Sequence, residues 1–316
     1  MMKIAICGTW HVHAPDYANT IINTEGAELI GVYEENEAWK KEFAEKFSIK
    51  AYDSFEDLLN SDADGVIVCA STDTHADYMV KIAEAKKHIF TEKVLALTTE
   101  DCLRIKKAVE ENGVKFVISL VHKYMNYGIT MKKLADSGEL GRINYLRFRN
   151  CHSGSIKDWL PRHFYDKKQC GGGAMIDLGA HGMYIADWIM GLPEKYASAF
   201  KVWDDNAKNS EKLEDNAVTV MTYADGGIAV NETGFVSASD PMVFEISGDR
   251  GYAVYNLGKI YKKTESTNNS FVEVPFEDGK PLPLVQFLTG NILEGCGMEE
   301  ALHLTKMMEG AYGNVL

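Results

Sequence analysis

Asp177 and His181 stand four residues apart, just behind Gly171-Gly172-Gly173. On a helix that spacing sets a carboxylate and an imidazole on one face, one turn apart. Held on a rigid element, such a pair can position a substrate hydroxyl and take its proton, because histidine titrates near neutral pH. The three glycines leave backbone amides uncovered ahead of that helix. Read alone, the segment is explained equally well by a packed helix with one satisfied histidine and a capping glycine run. A second chemical group is Lys93, in Thr91-Glu92-Lys93-Val94. A lysine at a strand's carboxyl end points toward a ligand crevice, and burial beside a cationic ring would ease its deprotonation.

The elements that must carry these groups alternate along the first 120 residues. Residues 3–7, 28–33, 65–69, 88–91 and 115–120 are strand-like runs, and 16–22, 37–47, 77–85 and 99–111 are helix-like. That alternation predicts βαβ units and a parallel sheet, with 65–69 buried on both faces. Beyond residue 120 a helix over 124–136 leads into strands at 143–150, 197–203, 217–223, 228–233, 243–247 and 252–257, rich in β-branched and aromatic residues. Asp225-Gly226-Gly227 and Asp249-Arg250-Gly251 read as hairpin turns, 206–212 and 262–270 as polar loops, and 284–293 and 298–309 as closing helices. The expectation is two domains, 1–120 and 121–316. The first is an α/β parallel-sheet domain; the second is an α+β domain with a large, mostly antiparallel open sheet.

In a parallel-sheet domain the first strand's turn is where a dinucleotide's diphosphate meets a helix amino terminus. Here that turn is Gly8-Thr9-Trp10-His11-Val12-His13, with only the first of three expected glycines. Gly8, Thr9, Trp10 and His11 are the expected cradle. Glu34 ends the second strand, where an acid holds a ribose 2′-hydroxyl and repels a 2′-phosphate; this favours NAD over NADP. Ser71, Thr72 and His75 follow a buried strand and suit cofactor contacts, although a helix-capping turn explains them almost as well. Glu92 and Lys93 complete the cofactor set. His11 and His13 alternate in a loop with no clustered carboxylate or thiol, so no metal is expected.

In the second half Trp159, Arg162 and His163 precede the triple glycine and are candidate substrate contacts, with Lys123 and Tyr124 after the sixth strand. An ordinary loop anchored by its aromatics fits the first three equally well.

Net charge is −13 with no lysine-rich run, which argues against a sequence-independent grip on nucleic acid or an anionic membrane. No apolar run approaches the roughly 20 residues of a membrane span. The six cysteines are scattered, against a disulfide framework and for a reducing compartment. The expected location is cytoplasmic.

Together these pieces resemble the glucose–fructose oxidoreductase / inositol dehydrogenase / MocA family (Gfo/Idh/MocA). The strand-then-Gly8 opening, Tyr33-Glu34, Thr74-His75 and Glu92-Lys93 (where the family has Glu-Lys-Pro) come in the family's order. Ser137-Gly138-Glu139-Leu140-Gly141, the triple glycine, Asp177, Gly179 and His181 follow at its spacing. The resemblance implies a Rossmann domain carrying NAD(P) and a substrate domain for a sugar, polyol or related hydroxy compound. It implies that Lys93 orients or protonates the reacting oxygen, Asp177 fixes the substrate and His181 is the general acid/base. This chain departs from the family in the reduced glycine fingerprint, in Val94 and Ser71 at two frequent proline positions, and in Tyr184, where the family often has a further aspartate.

The reading is therefore an NAD-preferring dehydrogenase for a secondary alcohol, with a small-molecule substrate and no nucleic-acid or membrane partner. Two rivals stay open: a glycoside-cleaving enzyme that retains NAD, and a non-catalytic ligand-binding homologue. The broad sheet has too few predicted helices to cover both faces, so a homodimer or homotetramer is expected.

Overall fold

The computed structural model describes residues 1–203 and 206–316, in two compact units: Met1–Leu120 with Pro281–Thr305, and Val121–Lys280 with Lys306–Leu316. The first opens with β1 (Met2–Cys7), α1 (Ala14–Ile22), β2 (Ala27–Tyr33), α2 (Glu37–Phe47), β3 (Lys50–Ala51) and α3 (Phe55–Leu59). It continues with β4 (Gly65–Val68), α4 (His75–Glu84), β5 (His88–Thr91), α5 (Thr99–Asn112) and β6 (Phe116–Ile118). Its sheet has the order β3-β2-β1-β4-β5-β6 with every pair parallel. β4 is buried along its whole length, as expected of a strand covered on both faces.

The second unit carries α6 (Asn126–Asp136), β7 (Ile143–Cys151), α7 (Lys167–Cys170), α8 (Ala174–Asp177) and α9 (Gly179–Met190). Six strands follow on: β8 (Lys195–Lys201), β9 (Asn216–Thr222), β10 (Ile228–Gly234), β11 (Met242–Gly248), β12 (Gly251–Asn256) and β13 (Lys259–Thr264). The edge strand β14 (Val272–Val274) completes a sheet ordered β14-β13-β12-β11-β7-β10-β9-β8, in which β7 and β10 are parallel and the other neighbours antiparallel. α9 packs on β7 and β10, and α6 on β12. Close approach is possible because Gly182 has no side chain: a Cβ there would lie 2.0 Å from Asn231 Oδ1 on β10.

The chain closes with α10 (Pro283–Thr289) and α11 (Met298–Tyr312). Residues 281–305, expected with the second domain, pack in the first unit. Phe287 is fully buried there, 6.0 Å from the Phe90 ring, and Gly65 leaves room for it on β4. Burying such a ring is worth about 1.5–3 kcal/mol. The Ile118 amide also donates to the Cys296 carbonyl at 2.9 Å.

Three further departures have local causes. β3 is two exposed residues and α3 is five, too short for periodicity to show, although the Ser54–Asp57 capping box marks where α3 begins. β13 lies partly in the supposed loop at 262–270; Lys259, Lys262 and Lys263 mask a strand near the sheet's edge, where charge is common. The single helix expected after Gly173 is two helices meeting at Leu178. There the His181 amide donates three residues back to the Leu178 carbonyl, at 3.1 Å, which tightens the turn.

Candidate active site

In the first unit strand order reverses between β1 and β4, the point at which such sheets bind ligands. Gly8 ends β1 at φ +84°, and a Cβ there would lie 2.4 Å from the Ala70 backbone, so only glycine fits. The Glu34 carboxylate organises the turn from inside. Its Oε2 accepts from the Thr9 amide at 2.6 Å and the Thr9 hydroxyl at 3.1 Å, and its Oε1 from the Asn36 amide at 2.9 Å. The His11 amide donates to Cys69 O, and the His13 amide reaches His11 Nδ1 at 3.3 Å. Trp10 is buried. A dinucleotide fits this cradle: Gly8 keeps the turn close to its neighbour, and the side chain of the α1 N-cap, His13, bonds Glu92 rather than capping the helix amides. Its diphosphate would meet fewer open amides than a three-glycine loop offers.

The turn after β4 gives a mixed result. The Ser71 hydroxyl donates to Asp73 at 2.6 Å, and Thr72 is buried in a short 3-10 turn. His75 is a strut: its Nδ1 lies 3.0 Å from Leu95 O and its Nε2 3.1 Å from Ala70 O. Burial pushes its pKa below the ordinary histidine value, against the pull of those carbonyls. Both nitrogens of this ring thus face backbone carbonyls.

Glu92 and Lys93 follow β5, both buried. Glu92 Oε1 lies 2.9 Å from His13 Nδ1 and 3.9 Å from His11 Nδ1 and accepts from the Tyr17 hydroxyl; its Oε2 accepts from the Lys93 amide at 3.0 Å. Burial alone would raise the Glu92 carboxyl, but His11, His13 and Lys93 hold it well below the usual carboxylate range. The premise behind expecting no metal therefore fails. The carboxylate missing from the sequence neighbourhood of His11 and His13 arrives from 79 residues away. The Lys93–Val94 peptide is cis.

In the second unit the triple glycine is not an open amide cradle. Glu214 Oε1 accepts from the amides of Gly173 at 2.9 Å and Met175 at 3.1 Å, Glu214 O from Ala174 at 2.7 Å, and Tyr312 Oη from Ile176 at 3.1 Å. The glycines serve this capping. A Cβ on Gly173 would lie 2.0 Å from Glu214 O, and one on Gly172 1.9 Å from Tyr312 Oη. Burial raises the pKa of Glu214 above the ordinary value despite its donors, and raises the Tyr312 phenol well above its own.

Asp177, half-buried, ends α8, and His181, buried, lies in the first turn of α9. His181 Nδ1 is 2.9 Å from the Tyr184 hydroxyl, which also accepts the His122 amide N–H at 3.2 Å. The His122 and His181 rings meet edge to face at 4.3 Å, and His122 Nδ1 is bonded to Tyr127.

Residues 2–120 match the "Oxidoreductase family, NAD-binding Rossmann fold" and residues 129–254 the "GFO/IDH/MocA C-terminal domain". The inositol 2-dehydrogenase of Salmonella paratyphi B is 31% identical over 260 residues, 80% of this chain and 73% of that one. The myo-inositol 2-dehydrogenase of Thermotoga maritima is 26% identical over 256 residues, 79% and 74% of the two chains. A levoglucosan dehydrogenase solved with NADH and levoglucosan superposes with a TM-score of 0.82 at 17% identity, covering 99% of this chain and 96% of that one, which shows the fold. This chain belongs to the Gfo/Idh/MocA oxidoreductase family. It is an NAD(P)-dependent dehydrogenase.

In this Gfo/Idh/MocA enzyme Tyr184 stands beside both His181 and the His122 backbone. The arrangement that leaves His181 Nε2 able to accept a proton has Nδ1–H donating to the Tyr184 oxygen. The Tyr184 oxygen thus joins the His181 ring to the His122 backbone. His122, Tyr127 and Tyr184 were not among the expected site residues. His122, beside Lys123, carried a signal only in being an imidazole next to an expected substrate contact.

The other candidates divide. Lys123 is buried with its ammonium 5.7 Å from the Trp188 ring centroid, and Tyr124 is buried with its carbonyl accepting from Lys280. Trp159 and Arg162 are exposed and His163 half-buried. The aromatics that anchor their loop are Phe164 and Tyr165, both buried, with Tyr165 Oη 2.7 Å from Ser155 Oγ. Among the described residues no helix is long and apolar enough to cross a membrane.

Proposed function

We propose that this enzyme oxidises a secondary alcohol of a sugar, polyol or related hydroxy compound, with NAD preferred over NADP. The observation that carries the reading is the buried His181, its Nδ1 held 2.9 Å from the Tyr184 hydroxyl, one turn beyond Asp177. When bound, the nicotinamide supplies the hydride acceptor; the protein supplies position and proton handling. His181 takes the hydroxyl proton, Lys93 holds the reacting oxygen by charge and hydrogen bond, and Asp177 accepts from a neighbouring hydroxyl. Lys123, Tyr124, Trp159, Arg162 and His163 are proposed substrate contacts.

Gly8, Thr9, Trp10, His11, Glu34, Ser71, Thr72 and Glu92 are the proposed cofactor side. Glu34 acts through its charge: its oxygens already serve Thr9 and Asn36, yet the carboxylate still repels a 2′-phosphate. The reading includes a cytoplasmic location and a homodimer or homotetramer. The test is a panel of cyclitols, sugars and polyols, led by myo-inositol because two relatives are named for inositol oxidation. Net formation of reduced cofactor with one of them supports the proposal. Substrate consumption without net reduction contradicts it and favours transient oxidation during bond cleavage.

A further inference from the structure

His11, His13 and Glu92 converge on one point of the first unit. One ligand atom from each, two imidazole nitrogens and a carboxylate oxygen, lies within 4.8 Å of the others. We propose that these three side chains bind one divalent transition-metal ion of the zinc class.

The donor set has the right chemistry. Two neutral imidazoles and one carboxylate suit borderline-soft divalent ions, and three protein ligands leave a position open to water or an anionic oxygen ligand. The spacing is close to what such an ion needs: with bonds of about 2.0–2.2 Å, ligand atoms sit roughly 3–4 Å apart. Glu92 Oε1 is already 2.9 Å from His13 Nδ1 and 3.9 Å from His11 Nδ1. The two imidazole centroids are 4.8 Å apart and inclined at 54°, so the rings do not stack.

Two of the three ligands are held in advance. Glu92 is buried, its Oε2 accepting from the Lys93 amide, while Tyr17 donates to Oε1 and lies 2.9 Å from Ser119 Oγ. Such outer partners fix a ligating carboxylate. His11 is buried, its backbone amide tied to Cys69 O at 3.0 Å; its Nδ1 accepts from the His13 amide at 3.3 Å, a long bond that the ion would replace. His13, exposed at the start of α1, provides the entry path and the freedom to close the site. The same three groups without an ion form a hydrogen-bonded staple between the β1 turn and the end of β5. That is the rival, and it binds no metal.

The experiment uses full-length protein, dialysed against a chelator and freed of nucleotide. Zn²⁺ is titrated by calorimetry, and Co²⁺ by its visible ligand-field absorption. The proposal predicts one ion per chain, a cobalt spectrum of four- or five-coordinate type, and an affinity at least about ten-fold weaker in both His13→Ala and Glu92→Gln. Because Glu92 is buried its variant can fail to fold, and a thermal melt detects that. The exposed His13→Ala decides the question alone. Absence of stoichiometric binding in the wild type, or unchanged affinity in folded His13→Ala, overturns the site. Neither measurement needs a substrate, so failure here is separate from failure of the dehydrogenase reading.

Discussion

Tyr184 is the residue through which sequence and geometry meet. In sequence it is only a departure from an expected acid; in the structure its oxygen joins His181 to the His122 backbone. Tyr184→Phe keeps the ring, leaves the buried amide and imidazole short of a partner, and should cost about 1–3 kcal/mol of stability. It should also lower kcat/KM by up to about 10²-fold through a misplaced base, with NAD affinity unchanged. Melts, kinetics and nucleotide titration separate these effects. Glu34 bears on the cofactor. The wild type should bind NAD more tightly than NADP, and Glu34→Gln, which keeps a carbonyl acceptor but removes the charge, should narrow the gap in calorimetry. An unchanged ratio would mean that selection lies elsewhere. Asp177, His181 and Lys93 were singled out from type and spacing alone. The His11–His13–Glu92 cluster was not, because Glu92 comes from β5, two strands away from β1 in the sheet.

At the scale of elements, the triple glycine teaches most. Its residue types suggested open amides, but they record closeness, and the groups that come close are Glu214 and Tyr312. Neither is near in sequence, so the capping could not be read from the segment. Gly173→Ala should destabilise the second unit by about 1–3 kcal/mol through overpacking against the Glu214 carbonyl, read as a lower Tm. Glu214 also gives a pH signature. Its folded pKa is raised above the ordinary 4.5 by burial, so its contribution is fully present below the unfolded value and is lost as pH rises through the folded one. Stability of the wild type relative to Glu214→Gln should therefore fall as pH climbs above that range. A difference independent of pH would show that the carboxyl is not shifted. α2 and the short, nearly all-buried β5 were legible to the residue. The helix break at Leu178 was not, because a continuous apolar pattern runs through it.

For the whole molecule, the alternation of strands and helices made the parallel sheet plain, and the β-rich second half made the broad sheet plain. What escaped was that 281–305 returns to the first unit, a choice made by the fit of Phe287 over Gly65. The second sheet carries its helices on one face, and Arg147, Glu232 and Glu245 form a charged array along neighbouring strands. We expect this sheet to pair with another copy, and light scattering at micromolar concentration should give at least a dimer; a stable monomer would end that expectation. The enzymatic account stands on His181. The most direct measurement is steady-state oxidation of the best polyol by wild type and His181→Ala, both checked for folding. The account predicts a kcat/KM lower by about 10²–10⁴-fold in the variant, with loss of the neutral-pH limb of its profile. Wild-type kcat/KM and an unchanged pH profile in His181→Ala would contradict it.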